Sequence, residues 1–543
     1  MSQSSQSKIQ PRTQFELLIV AAAGLTLVYN QRFFAELASA FGVNDNTVVF
    51  ICAVGLVLFS AHLLCLSIAT FVAPMLAKPL IITVVIISAG VAYFSDTFGA
   101  IIDQDMIRNV IETDPAEVQA LVTPRLLMYL IVYGFIPALC IYLLPIRLQG
   151  FGREALDKTK LAAIALVGIA VPMVSFGAEF ASLIREYQPV RFYSNPLYPI
   201  FSVSKYVTQN FSQDDLKPLE AAQPDAVLMG QASKPRLMIM VVGETARADR
   251  FALYGNSRNT NPELAKLENE LFVFRNAYAC GTSTAISVPC MFSFLNRADY
   301  SVAAARRTEN VLDVLDRLGV NVVWRDNNSG SKGVADRIRF ENYNRPSVNP
   351  VCDLECRDVG MLANLQTWFD ETAGDKLVVL HQLGNHGPAY AQRYPKDFER
   401  FTPACQHNDL SACSITEIVN AYDNALLYTD WFLAQVISLL QDNTSNHSVS
   451  MLYVSDHGES LGENNIFLHG LPYAFAPKEQ IEIPIFVWLP RNHQINNHQR
   501  RGHPTKAVSH DHISFTLLEY FNVVGTDATE QETLFDVLRA GGS

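Results

Sequence analysis

Three hydroxyl side chains, Thr282, Ser283 and Thr284, stand between two cysteines in the stretch Cys280–Cys290, CGTSTAISVPC. Gly281 lets the backbone turn sharply there, and Pro289 keeps the turn from running on into a long regular helix. If the cysteines are bonded, one hydroxyl is held rigidly at the mouth of a site. A hydroxyl alone is a poor nucleophile, so this chemistry needs a base or a metal from elsewhere in the chain. The plain alternative is a Ser/Thr-rich surface loop stapled by a disulfide.

Residues able to activate the hydroxyl follow a set of apolar runs. LMIMVV (237–242) leads into Gly243-Glu244-Thr245, and VSMLYV (449–454) into Ser455-Asp456-His457-Gly458-Glu459-Ser460. KLVVLHQL (376–383) leads into Gly384-Asn385-His386-Gly387, and VNVVW (320–324) into a polar loop holding Ser329 and Lys332. His469 follows in FLHGLP. Glu244, Asp456 and His457 with one further ligand suit tetrahedral zinc. Thr284 as that ligand becomes the nucleophile, because a bound zinc lowers the pKa of a coordinated hydroxyl. His386 and His469 would hold a second metal or contact phosphate oxygens, and Lys332 would neutralise phosphoryl charge.

Each residue also has a bland reading. An Asp-His pair after a strand is often only a turn, a Gly-flanked histidine is often structural, and a lysine in a Gly/Ser loop is usually solvated. Their coincidence after successive apolar runs favours the functional reading. His510 and His512 in SHDH read as a helix start capped by Ser509, without metal.

The elements that position these residues follow from the same runs. Short continuous apolar runs, with IPIFVWL (483–489) as a fifth, predict strands buried on both faces of a largely parallel sheet covered by helices. Ligands gather at the carboxyl ends of such strands.

The first third of the 543 residues is different. It holds apolar segments at roughly 14–30, 47–74, 79–98, 125–145 and 161–184, which predict five transmembrane helices. The mean hydropathy of +0.13 agrees. Lys8, Arg12, Lys78, Arg147, Arg153, Lys158 and Lys160 lie on one side of these segments, against Arg32, Arg108 and Arg125 on the other. Positive-inside bias then places the N-terminus in the cytoplasm and everything after 184 outside. Cys280, Cys290, Cys352, Cys356, Cys405 and Cys413 fall in that outer part in close pairs, as an oxidising compartment allows, although six cysteines permit many connectivities. In the outer loop, Asp114-Pro115-Ala116-Glu117 reads as a helix start with Asp114 as N-cap, and Asn109, Thr113 and Glu117 would present polar groups at the membrane surface. Aromatic residues 185–211 suit a membrane interface, and polar residues 212–235 a linker. The net charge of −12 argues against nucleic acid as a partner.

The segments VVGETAR, CGTSTAISVPCMFS, NNSGSKGV, HQLGNHGPAY, AYDNALLYTD and YVSDHGESLGE…LHG…FAPKEQ resemble the lipid A phosphoethanolamine transferases, which include the mobile colistin-resistance enzymes. The resemblance covers essentially the whole chain. It implies a five-helix transmembrane domain (1–184), an interfacial segment and linker (185–235), and an α/β/α periplasmic catalytic domain of alkaline phosphatase/sulfatase type (236–543). It implies zinc on Glu244, Thr284, Asp456 and His457, with Thr284 as nucleophile. Lys332, His386 and His469 would contact the phosphoethanolamine group, and Asn109, Thr113, Glu117 and Ser329 would bind the donor. The implied disulfides are Cys280–Cys290, Cys352–Cys356 and Cys405–Cys413, of which the CDLEC loop is shorter than is usual in the family. The implied activity is transfer from phosphatidylethanolamine to a lipid A phosphate by a monomeric enzyme of the bacterial inner membrane, giving resistance to polymyxins. A phosphoglycerol transferase of the same superfamily is the rival enzyme. Against a transporter, the spans carry almost no ionisable residues.

Overall fold

The computed structural model describes residues 12–113, 115–210, 218–230, 233–491, 504–525 and 531–540. The chain divides into two compact units: Met1–Ile107 with Val122–Tyr206, and Arg108–Leu121 with Val207–Ser543.

The first unit is helical. Helix α1 (Gln14–Val28) begins at a capping box between Thr13 and Glu16. It bends by 56° into α2 (Gln31–Phe41). Helices α3 (Asp45–Val72) and α4 (Ala77–Phe98) follow. After them along the chain stand α5 (Gln104–Glu112) and α6 (Pro115–Leu121), in a stretch that from Arg108 to Leu121 belongs to the second unit. Next come α7 (Pro124–Leu143) and α8 (Phe151–Ser175). Four of these helices are long and apolar enough to cross a membrane, or five if the bent α1–α2 pair is one span. Leu56, Ile68, Leu139, Val167 and Val174 point outward and exposed, as a lipid-facing surface requires. His62, inside α3, is satisfied by Thr26 Oγ1 at 2.9 Å and by the carbonyl of Asn195 at 3.1 Å.

The last apolar segment departs from its expected bounds of 161–184. Its helix starts at Phe151, because the charges that read as a loop are absorbed within it. Lys158 Nζ donates to the Thr70 carbonyl at 2.5 Å and lies 3.9 Å from Glu154. It ends at Phe176 (φ −122°, ψ 38°), after Pro172, and Gly177–Arg185 forms a separate helix.

The second unit is built on a seven-stranded sheet. Its strands are β1 (Arg236–Gly243), β2 (Leu271–Phe274), β3 (Asn321–Asp326), β4 (Arg339–Asn342), β5 (Lys376–His381), β6 (Ser448–Ser455) and β7 (Ile485–Trp488), in the order β2-β7-β6-β1-β5-β3-β4. β1, β3, β5 and β6 are almost wholly buried, as their unbroken apolar runs predict. Only β7 runs against the others. The chain leaves β6 at Asp456 and enters β7 beside the same end, with Val454 paired to Ile485. No crossover carries it back, so the strand must descend antiparallel. That path keeps residues 456–484 at the carboxyl edge of the sheet.

Helix α9 (Thr284–Met291) starts at the same edge, and α10 (Ile415–Asp442) covers the sheet from a Ser414–Glu417 capping box. Arg108–Leu121 packs as part of this unit. Asp114, the expected cap of α6, lies outside the described residues. Within residues 218–230, Ala222 and Ala226 enter the main core, and Val227–Leu228 pairs with Val523–Val524. The three disulfides Cys280–Cys290, Cys352–Cys356 and Cys405–Cys413 are formed.

Candidate active site

Four of the side chains singled out in the sequence meet at the carboxyl edge of the sheet. Glu244 follows β1, Asp456 and His457 follow β6, and Thr284 opens α9; all are buried. The loop before α9 is fixed at both ends. His510 accepts the Cys280 N–H on Nδ1 (3.1 Å) and donates from Nε2 to the Ser455 carbonyl (2.9 Å). Thr282 Oγ1 donates to the Leu471 carbonyl at 2.6 Å. Gly281 has no room for a Cβ, which would lie 2.8 Å from a carbon of Ile286. Thr284 is thereby presented with its hydroxyl 3.2 Å from Glu244 Oε2 and 3.4 Å from His457 Nε2.

The electrostatics of this cluster call for a cation. Burial first, and the neighbouring Asp456 carboxylate second, push the Glu244 carboxyl well above its ordinary pKa. Burial pushes His457 down. Its Nδ1 faces the Gly458 carbonyl at 2.9 Å, and a carbonyl can only accept. The proton therefore sits on Nδ1 and the lone pair of Nε2 points inward. That lone pair faces Asp456 Oδ2 at 3.2 Å, a buried oxygen that accepts no hydrogen bond among the described residues. Two acceptors turned toward each other in a dry site are unfavourable unless a positive ion lies between them. Donor atoms of Glu244, Asp456 and His457 all lie within 4.8 Å of one another, so the residues fit a divalent metal.

A second layer, largely silent in the sequence, orients these donors. Asn328 Nδ2 donates to Glu244 Oε2 at 2.7 Å and to the Gln382 carbonyl at 2.8 Å. His381 lies 3.9 Å from Glu244 and pairs with Asp326 at 2.9 Å, and Trp324 Nε1 donates to the same Asp326 oxygen. An ionisable residue inside the apolar run KLVVLHQL was the one available signal for His381.

The remaining candidates form a rim. His469 stacks near His457 with ring centres 4.4 Å apart and meets His386 at 5.4 Å. Glu459 holds His469 Nδ1 at 2.8 Å and also accepts from Tyr390 OH. Burial opposes a charge on His469, but the carboxylates of Glu459, Glu117 and Asp456, Glu459 foremost, together outweigh it and raise the pKa. Burial, and then His469, press His386 well below its ordinary value. Glu117 Oε1 lies 3.4 Å from His386 Nε2, so this carboxylate comes to the same rim. Lys332, held at φ +52°, donates to the carbonyls of Ser329 (3.1 Å) and Glu112 (3.2 Å). Asn109 and Thr113 stand side by side, the Thr113 hydroxyl donating to the Asn109 carbonyl at 2.6 Å. Among the described residues, neither makes a hydrogen bond to the cluster. His510 and His512 start a short helix capped by Ser509, as expected.

Comparison with known proteins places this geometry. Residues 236–523 match the sulfatase family model, and residues 58–211 match that of phosphoethanolamine transferase EptA/EptB. The chain is 41% identical to phosphatidylethanolamine transferase Mcr-1 of Escherichia coli over 96% of this chain and 97% of that one. It is 35% identical to phosphoethanolamine transferase EptA of Escherichia coli K12, covering 96% of each. The integral membrane protein lipooligosaccharide phosphoethanolamine transferase A from Neisseria meningitidis superposes with a TM-score of 0.91 at 31% identity, over 98% of this chain and 99% of that one. With identity sustained across nearly the full length of such relatives, and a sulfatase-type domain joined to a set of apolar helices, the chain belongs to the membrane-bound phosphoethanolamine transferases.

Proposed function

We propose that the protein transfers phosphoethanolamine from phosphatidylethanolamine to a phosphate of lipid A, through a phosphoethanolamine–threonine intermediate. The observation that carries this reading is the Thr284 hydroxyl, buried 3.2 Å from Glu244 beside Asp456 and His457. The relatives' names supply the donor and the transferred group. Lipid A as acceptor rests on the resemblance, and on a more distant relative named Kdo(2)-lipid A phosphoethanolamine 7''-transferase.

In the first half-reaction the Thr284 oxygen attacks the donor phosphorus. The threonine–phosphorus bond forms as the bond to diacylglycerol breaks, and the hydroxyl proton leaves on the diacylglycerol oxygen. In the second, an oxygen of the acceptor phosphate attacks the same phosphorus. The bond to Thr284 breaks, and the proton of the acceptor restores the hydroxyl. Zinc held by Glu244, Thr284, Asp456 and His457 would supply a Lewis acid that favours the threonine alkoxide and offsets charge on the phosphoryl oxygens. Lys332, His386 and His469 contact the phosphoethanolamine group, and Asn109, Thr113, Glu117 and Ser329 bind the donor. The ethanolamine amine cancels negative charge on the envelope, so polymyxins and cationic peptides bind more weakly.

The protein on this reading is a monomer of the bacterial inner membrane. Residues 1–184 form its membrane domain, 185–235 its interfacial segment and linker, and 236–543 its periplasmic catalytic domain. Intact mass after incubation with phosphatidylethanolamine tests the chemistry. One phosphoethanolamine should appear on Thr284 and be absent from Thr284→Ala. A phosphoglycerol adduct from phosphatidylglycerol would instead make the protein a phosphoglycerol transferase.

A further inference from the structure

A phosphoethanolamine group is small, yet a cavity of about 590 Å³ opens beside α9. Part of its wall is the flank of α9, through Ala285, the neighbour of Thr284, and Pro289. Ser329 and Lys332, placed above on the donor and on the transferred group, line it as well, and so do two guanidinium groups which that assignment leaves unused, Arg306 and Arg337. Those two differ in how firmly they are held. Arg337 forms a fork on Asp313, at 3.0 and 2.5 Å, and that carboxylate is itself fixed by the Asn310 N–H. Arg306 is 55% exposed, and its one ion pair among the described residues is a long 3.5 Å contact to Glu112. A surface pair of that length binds weakly, so Arg306 is free to turn toward a phosphate, which accepts both arms of a guanidinium.

Volumes of several hundred cubic ångströms suit a ring-sized ligand rather than a headgroup alone. The second half-reaction must bring to Thr284 a phosphate that is attached to a sugar. We infer that this cavity is the acceptor subsite, holding the phosphorylated sugar of the acceptor glycolipid, with Arg306 as the movable cation that orients it. The inference rests on the transferase reading proposed above and deepens it.

The two half-reactions separate the inference from its premise. Arg306→Glu reverses the cation, and Ala305→Trp fills the cavity from a partly exposed, cavity-lining position on the same short helix without touching an ion pair. Lys396→Glu, at a 78% exposed lysine outside the cavity, controls for net charge. Full-length variants in detergent are given phosphatidylethanolamine, then purified lipid A. Both cavity variants should form the Thr284 adduct at the wild-type rate, and the KM for lipid A should rise by about tenfold or more, the scale of one lost charge-assisted phosphate contact. The control should match wild type in both steps. Unchanged KM for lipid A in both cavity variants overturns the subsite. Adduct formation slowed as much as transfer also overturns it, because the cavity then serves the donor. If the wild-type protein itself forms no adduct, the transferase reading falls and the subsite with it.

Discussion

An imidazole lone pair and a carboxylate oxygen facing each other at 3.2 Å make the candidate metal site sensitive to whatever aims its donors. Asn328 aims Glu244 through a 2.7 Å bond. Its replacement by alanine should lower zinc affinity by roughly 10- to 100-fold, read by competition with a chromophoric chelator. Thr284→Ala should abolish transfer and retain more of its zinc than Asp456→Asn does. The pH response belongs to His510. Burial lowers its pKa to about 4 against the bond to Ser455. The unfolded chain binds this proton near pH 6.5, the folded one only near 4. The contribution is therefore complete above pH 6.5 and shrinks by roughly 3 kcal/mol as the pH falls to 4. In His510→Phe the Cys280 N–H and Ser455 carbonyl lose their partner, costing roughly 2–5 kcal/mol at pH 7. Denaturant unfolding should show that deficit narrowing across the same window. Legibility at this scale divided by position. Glu244, Asp456 and His457 directly follow long apolar runs, where the sequence marks them. Asn328 and His381 serve only through neighbours across the sheet, which no local pattern records.

Elements were legible where burial alone shaped them. The runs that became β1, β3, β5 and β6 announce themselves because both faces are covered. The short outer strands β2 and β4 do not, and the reversal of β7 follows from a loop path rather than from its own residues. Helix α8 was misplaced because its first turns are charged, and only Thr70 and Glu154 explain why those charges are tolerated in a helix. The CDLEC loop shows a use that its spacing hides. Arg393 pairs with Glu355 and donates from Nε to the His386 carbonyl at 2.6 Å, while Arg357 pairs with Asp353 and donates to the Gln392 carbonyl at 2.6 Å. The loop thus braces the segment that carries His386. Arg393→Lys keeps the charge and loses the fork, so transfer should fall by about tenfold with little change in melting temperature. Replacing Cys352 and Cys356 by serine should cost little stability, since so small a loop restrains few unfolded conformations. Equal losses of activity and stability in Arg393→Lys would mean that the brace serves folding alone.

At the scale of the whole molecule, the apolar helices must contribute to a reaction whose proposed residues lie in the other unit. On the proposed function the donor and acceptor are both lipids, so confining the enzyme to their membrane raises their effective concentration without any new contact. A chain beginning at residue 218 would keep Glu244, Thr284, Asp456, His457 and all three disulfides. On the proposed function it should bind zinc with the same affinity as the full chain. Its transfer from phosphatidylethanolamine in vesicles should fall by about 100-fold or more, the scale on which tethering acts. The truncation also removes Arg108–Leu121, which packs within the second unit and brings Glu117 to within 3.4 Å of His386. Two losses are therefore mixed, and Glu117→Gln in the full-length chain separates them. If tethering dominates, that variant retains most of the activity on vesicles, and the truncated chain recovers when donor and enzyme share detergent micelles. If Glu117 dominates, the full-length variant is as poor as the truncated chain, and micelles rescue neither. In that case the helices matter chiefly because the chain between two of them completes the catalytic edge.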